Sequence, residues 1–275
     1  MTTALVTDSS AQLPAALRDR YRVRVVPLTV VLDGQPYREG VDLTTADFYA
    51  RLRAGAEVST SSPSPGDVLA VYEEAVAGGA TEILSIHIGS NTSATVNAVK
   101  LAAGGSAAPV EVVDTGTASF AVACCVWAAG DLLAGGGTSL AAAADAARAA
   151  AAEVANVFIM GGLELARRGG RLAADVDDSA GLPVLALTGG EIRSVAHVHD
   201  VEAAIAAMTE YVRATAAGRP QRLGVGDAVA PDLADELEAA LHPLPQVAEL
   251  VRYEIGPSVG AHTGPGTVGA CFFPV

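Results

Sequence analysis

The segment Ile83-Leu84-Ser85-Ile86-His87-Ile88-Gly89-Ser90-Asn91-Thr92-Ser93 contains the end of a strand and the loop that follows it. Its first six residues are mostly β-branched or apolar, which predicts a strand over Ile83–Ile88. The Gly, Ser, Asn and Thr residues after it predict a polar loop, and the chain then continues as a helix through Leu101. This order of strand, polar loop and helix decides the fold, because it recurs along the first half of the chain.

Two further segments follow the same order. The apolar run Ala4–Thr7 ends at Asp8 before a helix, and Val110–Val113 ends at Asp114 before a long apolar helix. Successive units of this kind predict a parallel sheet with right-handed crossovers. The carboxyl ends of parallel strands share one edge of the sheet, where ligands bind. We therefore expect the loops at Asp8, Ser90 and Asp114 to be spatial neighbours.

The second half of the chain has a different pattern. It changes near Asn156, so we place a domain boundary between residues 1–155 and residues 156–275. Two strands flank Gly189-Gly190 as a hairpin, and intercalated helices with such a hairpin are typical of a mixed or antiparallel sheet with helices on one face. The predicted fold is α/β with two lobes: an N-terminal parallel-sheet α/β/α lobe and a C-terminal lobe that combines a mixed or antiparallel sheet with helices.

The composition excludes several classes of partner. The formal net charge is -14 and the only lysine is Lys100, whereas binding to nucleic acid requires clustered cations. The same charge disfavours permanent attachment to an anionic membrane surface and leaves a transient contact open. No signal peptide is apparent. The cysteines have neither zinc spacing nor a disulfide framework, and Cys124 and Cys125 are predicted to be buried. We expect a cytoplasmic protein.

A run of hydroxyl-bearing residues precedes the helix predicted over Asp67–Val76. It reads Val58-Ser59-Thr60-Ser61-Ser62-Pro63-Ser64-Pro65, and its prolines predict a loop. Hydroxyl groups and the N–H groups of a helix N-terminus can hold an anion, but ordinary helix capping accounts for the same residues. The two roles are compatible, since Ser64 can cap the helix while Thr60 faces a ligand.

Two other motifs favour structural roles. The segment Gly264–Gly269 matches the dinucleotide-binding glycine pattern by letter, but a strand follows it where that pattern needs a helix. The acidic residues Asp175, Asp177 and Asp178 lack the glutamate that a calcium loop has at its twelfth position. We interpret them as a solvated loop.

Three other histidines also favour structural roles. His87 lies in an apolar strand and is interpreted as a core histidine with its hydrogen bonds satisfied. His197 and His199 have strand spacing that would suit half of a metal site, but no cysteine or third histidine is near them in sequence. We interpret both as surface residues, and no metal or cofactor is predicted.

The segment His262-Thr263-Gly264-Pro265-Gly266 places a titratable ring, a hydroxyl and a glycine-rich backbone together. Glycines permit close approach of the backbone to a ligand, and histidine can donate to a carboxylate or a phosphate. Arg168 and Arg171 flank Gly169-Gly170 and supply permanently charged donors for the same kind of anion. Each segment is equally typical of a tight turn, so the residues alone leave both interpretations open.

Taken together, these segments resemble the DegV family of bacterial fatty-acid-binding proteins. The resemblance covers nearly the whole chain, and the segments that carry it are Thr7–Ser10, Thr60–Ser64, Ile86–Thr95, Val112–Thr115, Arg168–Arg171, Ile255–Pro257 and His262–Gly266. It implies a non-catalytic protein without a cofactor, which holds a long-chain fatty acid in a buried tunnel between the two lobes. It also implies a protein partner, a separate ATP-dependent fatty acid kinase that converts the presented carboxylate to an acyl phosphate.

The resemblance further implies the roles of individual residues. Thr60 and a serine of the second hydroxyl loop, Ser93 or Ser90, would hold the carboxylate. His262, Thr263 and an arginine of the Arg168–Arg171 turn would lie around the head group and the surface that faces the kinase. The full set of expected ligand-binding residues is Thr60, Ser61, Ser90, Ser93, Arg168, Arg171, His262, Thr263 and Gly264.

Two other functions are compatible with the sequence. A free-standing serine hydrolase or acyl-transfer enzyme would use Ser61 or Ser93 with His262, although the chain has no Gly-x-Ser-x-Gly elbow. A lipid-responsive sensor would report the supply of fatty acid to a protein partner. Labelling by a serine-reactive phosphonate would favour the first of these, and a pull-down without any kinase would favour the second.

Overall fold

The computed structural model describes residues 2–136, 138–174, 176 and 179–275. The chain divides into two compact units, Met1–Ala152 and Glu153–Val275. The predicted solvated loop at Asp175, Asp177 and Asp178 lies outside the described residues. In the part of the chain that the structure covers, no helix is both long enough and apolar enough to cross a membrane.

The first unit alternates strands and helices, with one 3₁₀ turn at Ser9–Ala11. Its elements in chain order are β1 Thr3–Asp8, α1 Ala15–Tyr21, β2 Arg24–Val26, β3 Thr29–Leu32, β4 Gln35–Arg38, α2 Thr45–Arg53, β5 Val58–Ser61, α3 Pro65–Ala77, β6 Glu82–His87, α4 Thr95–Ala103, β7 Val110–Asp114, α5 Phe120–Ala134 and α6 Leu140–Glu153.

Four of these strands form the predicted parallel sheet, in the order β2-β1-β6-β7. Ala4 pairs with Ile83, and Ser85 pairs with Val112, so the three predicted strand-loop-helix units lie side by side. Helices α3 and α4 bury apolar side chains against one face of the sheet, and Tyr72 of α3 belongs to this core. Helix α5 packs against β1 and β6. The carboxyl ends of β1, β6 and β7 therefore share one edge.

The remaining strands of this unit form a three-stranded antiparallel sheet in the order β4-β3-β5. The loop predicted over Val58–Pro65 is wrong for Val58–Ser61, because these residues pair with β3 and Thr60 lies opposite Val30. The predicted cap is confirmed. The Ser64 hydroxyl accepts a hydrogen bond from the Asp67 amide at 3.1 Å, and the Asp67 carboxylate accepts one from the Ser64 amide at 3.1 Å. This capping box fixes the start of α3.

The second unit is built on a six-stranded mixed sheet in the order β10-β9-β8-β13-β11-β12. Strands β11 and β12 run parallel, and the other neighbouring pairs run antiparallel. The hairpin at Gly189-Gly190 is confirmed. The elements in chain order are β8 Ala155–Ile159, α7 Glu164–Arg168, β9 Leu182–Thr188, β10 Glu191–Val198, α8 Val201–Ala216, β11 Gln221–Asp227, α9 Pro231–Leu241, β12 Val247–Glu254, α10 Pro257–Thr263 and β13 Val268–Pro274.

Helices cover both faces of this sheet, so the prediction that they lie on one face is wrong. Neighbouring residues of a strand point to opposite faces. Val184 packs with Met208 of α8 in the larger core cluster, whereas Leu185 packs with Ala166 of α7 and with Ile192 in a second cluster. The segment that carries α7 is thereby fixed against the sheet.

Helix α10 is a second departure from prediction. Of the two interpretations given for His262–Gly266, the tight turn is wrong for His262 and Thr263, because these residues form the last turn of this helix. Pro257 occupies its first turn, where a missing N–H costs no hydrogen bond. Gly264 ends the helix with φ of 76°, a conformation that favours glycine.

Several side chains lie where the sequence places them. All three cysteines are buried, including the predicted pair Cys124 and Cys125, and burial raises the pKa of the Cys125 thiol to about 12. His87 is fully buried with hydrogen bonds on both ring nitrogens, as predicted for a core histidine. His197 and His199 are exposed, as predicted for surface histidines.

Candidate functional site

The loops that follow β6 and β7 are joined by hydrogen bonds. The Ser90 amide donates to the Asp114 carboxylate at 3.0 Å, and the Gly89 amide donates to the Thr117 carbonyl at 2.7 Å. A Cβ atom on Gly89 would lie 2.6 Å from the carbonyl carbon of Gly116, so glycine permits this close approach. The predicted proximity of Ser90 and Asp114 is confirmed.

The loop after β1 joins the same edge. The Ile88 amide, immediately before Gly89, donates to the Asp8 carboxylate at 3.1 Å. The Ser10 amide donates to the other oxygen of that carboxylate, also at 3.1 Å. The three loops predicted to be neighbours are therefore connected through backbone N–H groups and two aspartates.

Asp114 is held in its ionised form. Partial burial raises the pKa of this carboxyl, but the hydrogen bonds donated by Ser90 and by the Gly116 amide, with the positive charge of Lys100, lower it overall. The Ser90 amide is consequently committed to Asp114. Of the two serines proposed for the second loop, Ser90 thus contributes to the loop's own structure.

The other serine belongs to a cluster of hydroxyl groups. Ser93 Oγ lies 2.9 Å from Thr95 Oγ1, and it lies 3.5 Å from Ser62 Oγ. The Thr95 amide also donates to Ser93 Oγ at 3.3 Å. Ser62 follows β5 directly, so this cluster joins the end of β5 to the start of α4.

Thr60 and Ser61 point in different directions. Both lie in β5, where neighbouring side chains alternate between the two faces, and Thr60 is half-buried whereas Ser61 is exposed. Thr60 is two residues before Ser62, on the partly buried face. The structure thus separates Ser61 from Thr60, although the two are adjacent in sequence.

Two members of the hydroxyl cluster, Ser62 and Thr95, are absent from the predicted set of ligand-binding residues. Thr95 is fully buried at the first position of α4. The signal that could have found them is present in the sequence: Ser62 continues the Ser59–Ser61 hydroxyl run, and Thr95 follows Ser93 by two residues at the start of a predicted helix.

A second group of predicted residues comes together in the C-terminal unit, where α10 packs against α7. Arg171 donates from one terminal nitrogen to the Gly169 carbonyl at 2.7 Å, and that nitrogen lies 3.5 Å from Nδ1 of His262. A Cβ atom on Gly169 would lie 2.9 Å from His262 Nδ1, so glycine leaves room for the imidazole. Burial lowers the pKa of Arg171, and its guanidinium remains charged.

His262 is neutral at physiological pH. Burial, with the positive charge of Arg171, lowers the pKa of this ring to about 4. Arginine has no acceptor, so Nδ1 of His262 accepts the hydrogen bond and Nε2 carries the proton. The pair therefore supplies one cationic donor and one neutral donor.

The other predicted residues of this unit are arranged differently. Thr263 is buried and its hydroxyl donates to the Val259 carbonyl at 3.4 Å, within α10. The carbonyls of Thr263 and Gly264 both accept from the Thr267 hydroxyl at 2.9 Å. Arg168, in the last turn of α7, is exposed, and its side chain makes no hydrogen bond or ion pair with any residue that the structure describes.

Within the described ranges, no three side chains of His, Cys, Asp or Glu are grouped so that they could hold a metal ion. The donors at both groups are instead hydroxyls, an imidazole and guanidinium groups. Such donors suit an oxyanion, because they can donate hydrogen bonds to the lone pairs of a carboxylate or phosphate without the help of a metal ion.

A family model described as "Uncharacterised protein, DegV family" matches residues 2–275. The chain belongs to the DegV family. A DegV domain-containing protein of Streptomyces coelicolor is 37% identical over 271 residues, which are 97% of this chain and 96% of the relative.

Solved structures of DegV proteins share this fold. A DegV family protein from Thermus thermophilus, whose structure is described as fatty acid binding, superposes with a TM-score of 0.91 at 35% identity, and all of both chains is covered. DegV from Bacillus subtilis, described as a fatty acid binding protein, has a TM-score of 0.88 at 26% identity, again over 100% of both chains. The predicted α/β fold class, with a parallel-sheet lobe and a mixed-sheet lobe, is confirmed.

Proposed function

We propose that this protein binds a long-chain fatty acid and presents its carboxylate to a separate ATP-dependent fatty acid kinase, which forms the acyl phosphate. The observation that carries the proposal is the hydroxyl cluster of Ser62, Ser93 and Thr95, in a chain of the DegV family, with Ser62 two residues after Thr60. The fatty acid binding described for the Thermus thermophilus and Bacillus subtilis proteins supports the ligand class.

The chemistry of the cluster fits a carboxylate. A carboxylate taken out of water is costly unless several donors satisfy it, and rotatable hydroxyl groups supply donors that adjust to its lone pairs. We assign the carboxylate to Thr60 and Ser93, because the amide and the side chain of Ser90 both bond to Asp114. Ser61 points away from Thr60, so we do not assign it to the carboxylate.

Donors in the C-terminal unit remain candidates for the same ligand class. We retain Arg171 and His262 because they present a charged and a neutral donor. Thr263 and Gly264 hold the end of α10 that carries His262. Arg168 is the residue that we assign to the kinase, since it is exposed and without a partner among the described residues.

The apolar tail supplies most of the binding free energy in this proposal. Each buried methylene contributes about 0.8 kcal/mol, so roughly 14 methylenes contribute ~11 kcal/mol before the cost of ordering the chain. Holding the acid in protein rather than in a membrane also presents its carboxylate to the kinase in one position. The chemical step then belongs to the kinase, and no cofactor is required here.

The ligand is tested by native mass spectrometry and by titration. The purified protein is expected to carry a long-chain fatty acid, and a protein that neither carries nor binds one would refute the proposal. Replacing Thr60 by Val keeps the shape of the side chain but removes the hydroxyl, and it should weaken binding about tenfold or more. Ser59→Ala, on the exposed face of the same strand, is the matched control and should bind as the wild type does.

The kinase partnership is tested by reconstitution. Acyl phosphate should form only when this protein, a bacterial fatty acid kinase, ATP and fatty acid are all present, and Arg168→Ala should reduce the rate without changing fatty acid affinity. Formation of acyl phosphate at the same rate without this protein would contradict its role. Covalent labelling of the chain by a serine-reactive phosphonate would instead favour a hydrolase.

A further inference from the structure

Four buried polar side chains form a continuous hydrogen-bonded chain on the α3 side of the parallel sheet. The Tyr72 hydroxyl lies 2.8 Å from Ser85 Oγ, and Ser85 Oγ lies 2.7 Å from Nε2 of His87. Nδ1 of His87 lies 2.9 Å from the Asp8 carboxylate. None of the four residues is more than 1% exposed. The chain thus runs from a helix, across β6, to the carboxyl end of β1.

Serine, histidine and aspartate occur here in the order of a hydrolytic triad, but the chain does not present a nucleophile. Ser85 is completely buried, and its hydroxyl already contacts the Tyr72 hydroxyl on the side away from His87. A substrate carbonyl has no route to Ser85 Oγ in this packing. The arrangement therefore acts within the protein rather than on a substrate.

The partners determine where the protons lie. Asp8 accepts hydrogen bonds from the Ile88 amide, the Ser10 amide and the Ser10 hydroxyl, which are the contacts of an ionised carboxylate. Nδ1 of His87, the remaining neighbour, is therefore the protonated nitrogen.

The position of this proton determines the donor and acceptor roles of the other groups in the hydrogen-bonded chain. With the Nδ1 proton directed at Asp8, Nε2 is the acceptor for the Ser85 hydroxyl. Ser85 in turn accepts from Tyr72, whose hydroxyl has no other hydrogen-bonding partner among the described residues. Each donor then points towards Asp8, and each of the three protons shared among the four side chains has an acceptor. The reverse direction would leave the Tyr72 proton unpaired in an apolar core, at the cost of an unsatisfied buried donor.

Asp8 in turn fixes the backbone at Ile88, on which the candidate site depends. Its carboxylate holds the Ile88 amide at 3.1 Å, at the point where β6 ends and the second hydroxyl loop begins. The Gly89 carbonyl then accepts from the Thr92 amide at 2.9 Å and from the Ser93 amide at 3.0 Å. A shift of Ile88 would consequently be transmitted through Gly89 to Ser93.

We propose that the Tyr72–Ser85–His87–Asp8 chain is a positioning relay for the carboxylate site. It fixes the direction of the Asp8 carboxylate, which sets the backbone from which Ser93 reaches the fatty acid head group. Asp8 and His87 are positioning residues in this scheme and do not touch the ligand. The inference rests on the proposed function for the identity of the ligand, whereas the orientation of the relay rests on the hydrogen bonds alone.

Two variants of one residue separate positioning from packing. His87→Asn keeps an N–H donor in the place of Nδ1 and loses the contact to Ser85, whereas His87→Gln keeps a polar group in the place of Nε2 and loses the donor to Asp8. Both remove the same buried ring, so both lower the thermal stability. His87→Gln should bind fatty acid about tenfold more weakly than His87→Asn. It should also show faster hydrogen exchange at the Ile88 and Ser93 amides.

The wild-type protein gives a second measurement that needs no variant. Nitrogen-15 spectra of the ring should show the His87 proton on Nδ1. A proton on Nε2, or equal exchange at Ile88 in the two variants, would overturn the relay. A wild-type protein that binds no fatty acid would overturn the proposed function, while the exchange and ring-nitrogen measurements would still decide whether the relay exists.

Discussion

Replacing His262 by Gln should make the protein less sensitive to acid. Burial, with the positive charge of Arg171, lowers the pKa of His262 to about 4 in the folded state, from about 6.5 in the unfolded chain. Because the unfolded chain binds a proton more readily, this ring contributes stability that is fully present above about pH 6.5 and is lost as pH falls towards 4. A depression of this size corresponds to about 3 kcal/mol.

The assay is urea unfolding across the range from about pH 7.5 to 4. Wild-type protein should lose about 3 kcal/mol more of its free energy of unfolding over this range than His262→Gln does. His199→Gln removes an exposed histidine and should keep the wild-type dependence on pH. In a titration followed by NMR, the ring signals of His262 should change only near pH 4. Signals that titrate near pH 6.5, or identical pH profiles for wild type and His262→Gln, would refute the reasoning.

Two further substitutions test the packing of each unit by urea unfolding. Gly89→Ala places a Cβ 2.6 Å from a backbone carbon of the neighbouring loop and should cost about 1–3 kcal/mol. Gly66→Ala places a Cβ in ordinary contact with Ser64 Oγ, at 3.6 Å, and should cost nothing; an equal loss in both would contradict the steric argument. Asn156 exchanges two hydrogen bonds with the backbone of Leu187, at 2.7 Å and 3.2 Å, so Asn156→Leu should cost about 3 kcal/mol. The exposed Asn97→Leu is its control, and a comparable change in both would show that the two bonds contribute little.

Three of the four strands of the parallel sheet could be predicted because each of them carries its own signal. Ala4–Thr7, Ile83–Ile88 and Val110–Val113 are apolar runs that end in polar loops, and the ends of each strand in the structure differ from these bounds by at most one residue. Their order along the chain sets the topology, since parallel strands need crossovers. The neighbouring positions of Ser90 and Asp114 followed from that rule without knowledge of any contact.

The elements that the prediction missed depend on contacts distant in sequence or on weak local preference. Val58–Ser61 has the composition of a loop, and it becomes a strand because it pairs with β3, which places Thr60 opposite Val30. Helix α10 contains Gly260 and is only seven residues long, so its helical propensity is low. Its packing against α7 stabilises it instead.

The candidate site was likewise predictable only in part. Thr60 and Ser93 could be nominated from the family resemblance, but their surroundings could not. The side chains of Thr60 and Ser61 point to opposite faces because neighbouring residues of a strand alternate. A segment predicted to be a loop gives no such expectation. The sequence could not distinguish the roles of Ser90 and Ser93, because both serines follow the same strand. Their hydrogen bonds distinguish them, since Ser90 bonds to Asp114 and Ser93 bonds to Thr95.

The burial of all three cysteines has a practical consequence for spectroscopy. Thiol reagents attack the thiolate, and burial raises the pKa of Cys125 to about 12 while Cys124 and Cys271 are also withdrawn from solvent. A single cysteine introduced on the exposed face of β5, by Ser59→Cys or Ser61→Cys, should therefore react selectively in the otherwise native chain. A fluorophore at either position would report the arrival of a ligand at the neighbouring threonine in real time, without prior removal of the protein's own thiols.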